Sequence, residues 1–117
     1  MSMHHGSCHC GAVSFKADLD LSQPAITCNC SMCGRTGTML MFVTPDKFTL
    51  DKGEDSLTGY KFNTHNIDHL FCKVCGVKPF ARGTNRQGDK MIAVNVRVLD
   101  DVDVFTQPTK QNDGKSR

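Results

Sequence analysis

A chain of 117 residues, 38% of them apolar, is the length of one domain and leaves little room for a second. A formal charge of +2, with much of the excess in Lys110, Lys115 and Arg117, is too near neutrality to point to nucleic acid. No apolar run approaches the roughly 18 residues of a membrane helix, and no apolar stretch follows Met1-Ser2-Met3-His4-His5-Gly6 as a secretory signal would require.

The chain reads as one domain over 1–117 with loose ends at about 1–6 and 107–117; the adjacent His4 and His5 could hold a metal only weakly. Gly11 to Ala17 alternates as a strand should, with Val13 and Phe15 facing a core. Asp18 to Pro24 reads as a turn and Ala25-Ile26-Thr27 as a short strand. Thr38 to Val43 is an apolar run of strand length, stopped by Thr44-Pro45-Asp46-Lys47. Phe48-Thr49-Leu50 and Leu57 to Phe62 read as strands joined by an exposed hairpin connection over Asp51 to Ser56. Asn66 to Phe71 alternates, and Gly83 to Gly88 reads as a loop. Met91 to Leu99 is the strongest strand, with Ile92, Val94, Val96 and Val98 on one face. Asp100 to Asp103 turns the chain. Helical periodicity is poor throughout, so helix is expected to be scarce. Seven Phe and no Trp predict Phe-centred packing, with Phe42, Phe71 and Phe80 in the core.

All seven cysteines fall in three tight clusters: Cys8-His9-Cys10-Gly11, Cys28-Asn29-Cys30-Ser31-Met32-Cys33, and Cys72-Lys73-Val74-Cys75-Gly76. An odd number cannot all pair internally, and a disulfide scaffold scatters its cysteines more widely. Close pairs followed by glycine suit zinc, because glycine permits a tight knuckle whose amides turn toward thiolate sulfurs. Structural zinc in small peptides contributes about 10–16 kcal/mol apparent at neutral pH, as much as the whole stability of an ordinary domain. Free thiols in metal clusters, without an export signal, favour the cytoplasm.

Cys8, Cys10, Cys72 and Cys75 can supply the four ligands of a closed site. Cys28, Cys30 and Cys33 are then three thiols, and the spacing leaves their state open. They could form an open catalytic site, a second closed site completed by His65 or His69, or a cluster that is metal-free or oxidised. Arg35 directly follows the triplet and could pair with a substrate carboxylate, with Arg82 and Arg86 weaker candidates. Asn95, set among valines, needs a backbone or ligand partner if it is buried.

Gly6-Ser7-Cys8-His9-Cys10-Gly11-Ala12-Val13, the C-x-C-x-x-C of Cys28, Cys30 and Cys33, and Phe71-Cys72 with Cys75-Gly76 together resemble the glutathione-dependent formaldehyde-activating enzyme family, which includes centromere-protein-V-like domains. Asn95 and Leu99-Asp100 are similar to the family's last strand, and the likeness runs over about 6–106. The resemblance implies a mainly β, Mss4-like fold of antiparallel strands. It implies two zinc ions, one structural at Cys8, Cys10, Cys72 and Cys75 and one catalytic at Cys28, Cys30 and Cys33. It further implies a carbon–sulfur lyase acting on a thiol–aldehyde adduct such as S-hydroxymethylglutathione. Arg35 and Asn95 are the expected substrate contacts, and a small thiol the expected partner. The alternative is a non-catalytic zinc module for protein interaction.

Overall fold

The computed structural model describes residues 2–61, 67–85 and 87–113. Two sheets carry the chain. The smaller holds β1 (Ser2–Ser7), β2 (Ser14–Leu19) and β5 (Phe48–Lys52), in the order β1-β2-β5. The larger holds β3 (Ala25–Cys28), β4 (Leu40–Val43), β6 (Leu57–Tyr60), β7 (Ile67–Cys72), β8 (Phe80–Thr84), β9 (Lys90–Asn95) and β10 (Thr109–Asn112). Their order is β10-β3-β4-β9-β8-β7-β6. Among the described residues, α-helix is limited to one turn, α1 (Cys33–Thr36), so the fold is mainly β as expected. No helix there is long and apolar enough to cross a membrane.

The core follows from alternation. Val13, Phe15, Ala17 and Leu19 are buried while Ser14, Lys16 and Asp18 between them are not. Phe15 and Phe48 of the small sheet meet Phe80 of the large one, with ring centroids 4.6–5.9 Å apart. A buried Phe stabilises a fold by about 1.5–3 kcal/mol, so this triad is a main tie between the sheets. Met41, Val94 and Phe80 stand in one cross-strand row on the buried face. Phe42 points the other way and is 51% exposed, so it is not core; Phe71 is only partly buried.

Several expectations fail. The ends are not loose among the described residues: β1 pairs with β2 over its full length, and β10 lies beside β3. That last pairing is parallel, so the sheet is not wholly antiparallel. Asp51 to Ser56 is no hairpin connection, because β5 and β6 belong to different sheets. The Met91–Leu99 strand stops at Asn95, whose side chain accepts from Arg97 N and caps a 3-10 turn over Val96–Val98. Gly83 and Thr84, read as loop, belong to β8. The expected strand residues Phe62 and Asn66 lie outside the described residues.

Candidate metal centres and the adjoining cavity

The first and last cysteine clusters are closed by related backbone bonds. Cys8 N bonds to Val13 O at 3.0 Å, and Cys72 N bonds to Val77 O at 2.9 Å. Gly11 N reaches Cys8 O and Gly76 N reaches Cys72 O, with φ of 81° and 82° at the two glycines. A side chain is strained at such angles, so glycine is what lets each knuckle close. Val13 N and Val74 N each point at a cysteine sulfur, 3.4 Å away.

The two knuckles bring the Sγ atoms of Cys8, Cys10, Cys72 and Cys75 within 4.8 Å of one another. Cys8–Cys10 and Cys10–Cys72 are each 3.6 Å apart. Zinc–sulfur bonds of about 2.3 Å to tetrahedral corners place sulfurs about 3.8 Å apart, so these thiols fit a metal ion. Their protonation without metal is uneven. Hydrogen bonds from the backbone at Val77 and Cys10 bring Cys75 down to about 6. The Ala12 amide lowers Cys10, but burial and the neighbouring thiols push it up to about 11. Four crowded thiols do not all ionise together unless a cation joins them.

Cys28, Cys30 and Cys33 form the second group within 4.8 Å. Cys28 ends β3 and Cys33 begins α1, so one turn of chain delivers all three. Cys30 N points at Cys28 Sγ (3.5 Å) and Cys33 N at Cys30 Sγ (3.3 Å). Burial raises the Cys30 thiol, but the Cys33 and Met32 contacts outweigh it and hold it below its ordinary range. Burial, then the hydrogen bond and charge of Cys30, push Cys33 up to about 11. Among the described residues no histidine or carboxylate completes this group as a fourth ligand. His65 lies outside the described residues.

The triplet opens into a cavity of about 440 Å³ on the outer face of the large sheet. Its floor is the row Phe42, Ala93, Ala81 and His69, which pair directly across β4, β9, β8 and β7. Two alanines in the middle of this row leave the hollow. Ile26, Leu40 and Ile67 extend the apolar wall, while Thr38, Lys78, Asn95 and Asn112 bring polar groups.

Asn95 lines the cavity, but its amide is engaged by backbone. The oxygen accepts from Met39 N (3.3 Å) and Arg97 N (3.2 Å), and the nitrogen donates to Lys78 O (2.9 Å). Arg35 does not line the cavity; it is exposed, donates to Ser31 O at 2.8 Å, and borders a separate hollow with Met32 and Tyr60. Arg82 pairs with Glu54 and lies over the Phe80 ring. Arg86 lies outside the described residues.

Sequence reasoning missed two of these residues. Asn112, from the tail expected to fray, donates to Cys28 Sγ at 3.5 Å. Lys78 stands half-buried in the cavity wall, its Nζ 3.1 Å from His69 Nδ1. Burial lowers the pKa of both groups, and the thiolate charges of Cys33 and Cys30 partly restore that of Lys78. A lysine between a cysteine knuckle and a core Phe was the available signal.

A sequence profile described as "Glutathione-dependent formaldehyde-activating enzyme" matches residues 3–112. The chain belongs to this family. The fold is also similar to a crystal structure of a Rhodobacter sphaeroides protein, with a TM-score of 0.81 at 29% identity. That match covers 92% of this chain and 99% of the other. The family's assignment accords with a mainly β domain bearing two cysteine clusters, each able to hold a metal ion.

Proposed function

We propose that this family member is a carbon–sulfur lyase-like enzyme of Mss4-like fold, acting on a small thiol–aldehyde adduct and binding two zinc ions. The structural ion belongs to Cys8, Cys10, Cys72 and Cys75, and the catalytic one to Cys28, Cys30 and Cys33. The observation that carries the reading is the cavity ending at the three-thiol group, whereas the four-thiol group does not line it. Closed sites suit structure, and three protein ligands beside a hollow suit chemistry. Zinc held by three thiolates supplies mild Lewis acidity toward a thiol sulfur or an aldehyde oxygen.

Cleavage of such an adduct is redox-neutral. The hydroxyl proton leaves oxygen for solvent, the carbonyl forms, and the carbon–sulfur electron pair stays with sulfur. The chain's own part is to hold the adduct. The apolar floor excludes water, Asn112 fixes the Cys28 sulfur, and Asn95 fixes the Lys78–Pro79 segment through Lys78 O and Pro79 O. S-hydroxymethylglutathione is the reference substrate because the family profile names glutathione and formaldehyde.

Calorimetric titration of zinc-loaded protein with glutathione, cysteine and their formaldehyde adducts tests the proposal, with breakdown followed by NMR. Binding lost in Cys30→Ala, with turnover above the spontaneous rate, is the expected result. A fully metallated protein that binds no thiol and turns over no adduct would favour the protein-interaction module instead.

A further inference from the structure

We propose that Lys78 sets substrate selectivity by receiving the carboxylate of a thiol whose remaining body is apolar; the inference rests on the thiol-enzyme reading above. The cavity lining is Ile26, Leu40, Phe42, Ile67, Phe80 and two alanines around a few polar groups. Among the described lining residues there is one ammonium, Lys78, and no carboxylate. Glutathione brings two carboxylates and an ammonium. Buried whole here, it would leave charge unpaired, so its charged ends would have to reach solvent. A small mercapto acid brings one carboxylate for one ammonium. Its volume falls easily within about 440 Å³.

Lys78 is placed for this task rather than trailing into solvent. Its carbonyl is held by Asn95 Nδ2 at 2.9 Å, and Asn95 N holds the next carbonyl, Pro79 O, at 3.1 Å. Its Nζ lies 3.1 Å from His69 Nδ1, and the thiolate charges of Cys33 and Cys30 that also act on it would be largely taken up by a bound metal ion. No described carboxylate lies within ion-pair distance of Nζ. An ammonium half removed from water is costly to leave so, and an arriving carboxylate would recover that cost through a charge-assisted bond. The body of the ligand would lie on Ala81 and Ala93, between Phe42 and Ile67, two residues whose exposed apolar surface flanks that floor.

The test uses matched probes on zinc-loaded protein by calorimetry: α-mercaptophenylacetate, benzyl mercaptan (no carboxylate) and phenylacetate (no sulfur). Elemental analysis and a thermal melt verify that each variant is folded and metallated. Lys78→Met should weaken α-mercaptophenylacetate roughly 10- to 100-fold and leave benzyl mercaptan within about twofold. Lys78→Arg should retain most binding of the acid, and Ala93→Leu should weaken both aromatic thiols by filling the floor. Equal losses for the acid and the neutral thiol in Lys78→Met would overturn the proposal, because the ammonium would then serve the cysteine cluster alone. An unchanged acid affinity in that variant would overturn it as well. Phenylacetate separates the two readings. If phenylacetate binds as tightly as α-mercaptophenylacetate, both are lost in Lys78→Met and benzyl mercaptan does not bind, the anion subsite stands and the thiol chemistry fails. If benzyl mercaptan binds and neither carboxylate gains from Lys78, the thiol chemistry stands and this proposal fails.

Discussion

The four-thiol and three-thiol clusters share a means of construction, backbone amides aimed at sulfur, and differ in what surrounds them. Cys8 and Cys72 are buried, and their cluster joins the start of the chain to a knuckle 62 residues later. Cys28, Cys30 and Cys33 are all partly exposed, come from one turn of chain, and face a hollow. A ligand set drawn from distant segments makes metal binding a folding event, because the unfolded chain does not hold the site. A set drawn from six consecutive residues contributes to global folding only as far as it holds metal more tightly in the folded chain than in the unfolded one. The same ligand chemistry is thus divided by topology into a set that ties distant segments together and a set that faces a hollow.

Breaking that contrast should give the largest effect. Cys8→Ala should remove a metal worth about 10 kcal/mol or more of apparent stability and abolish cooperative melting. Cys30→Ala should keep a cooperative melt and lower the metal content from near two per chain to near one. Circular dichroism melts with elemental analysis on both variants compare them directly. Equal unfolding would show that both centres are structural.

Asn95 sharpens the contrast from the cavity side. Asn95→Ala strips a partner from Met39 N, Arg97 N and Lys78 O together, so a loss of about 2–3 kcal/mol is expected in urea unfolding. Metal at the four-thiol cluster should be retained, since the change touches only the cavity wall. The smallest effect belongs to Asn112→Ala. Losing the bond to Cys28 Sγ should weaken metal at the three-thiol cluster by about 10-fold with little change in melting, as competition with a chromophoric chelator would measure.

Most strands were legible because one-sided burial leaves a period of two, as in Val13, Phe15, Ala17 and Leu19. The cysteine spacing marked the three motifs, and the structure groups those thiols four and three. What was hidden had no apolar signature. Thr109–Asn112 has no apolar side chain; it joins β3 by backbone bonds, among them Ala25 N to Pro108 O at 2.9 Å, and by the Asn29–Asp113 contact. β8 was obscured by Arg82, Gly83 and Thr84, which are partly or fully exposed and break the apolar run that Phe80 and Ala81 begin. The cavity floor depends on Ala81 and Ala93 standing opposite each other, and cross-strand register is not readable from either segment alone. Arg35 drew attention by adjacency to the triplet, yet α1 turns it outward.

The placement of β10 also orders events in time. Cys28 meets Asn112 across 84 residues of chain. At synthesis rates of about 5–20 residues per second, the thiols leave the ribosome roughly 4–17 s before that asparagine. Through that interval the nascent triplet has its sulfurs and its turn but lacks the strand that flanks Cys28. A metal ion or oxidant arriving early meets a partial site, and one arriving late meets a finished one. The surroundings of Cys28 are therefore complete only after the last described strand has left the ribosome.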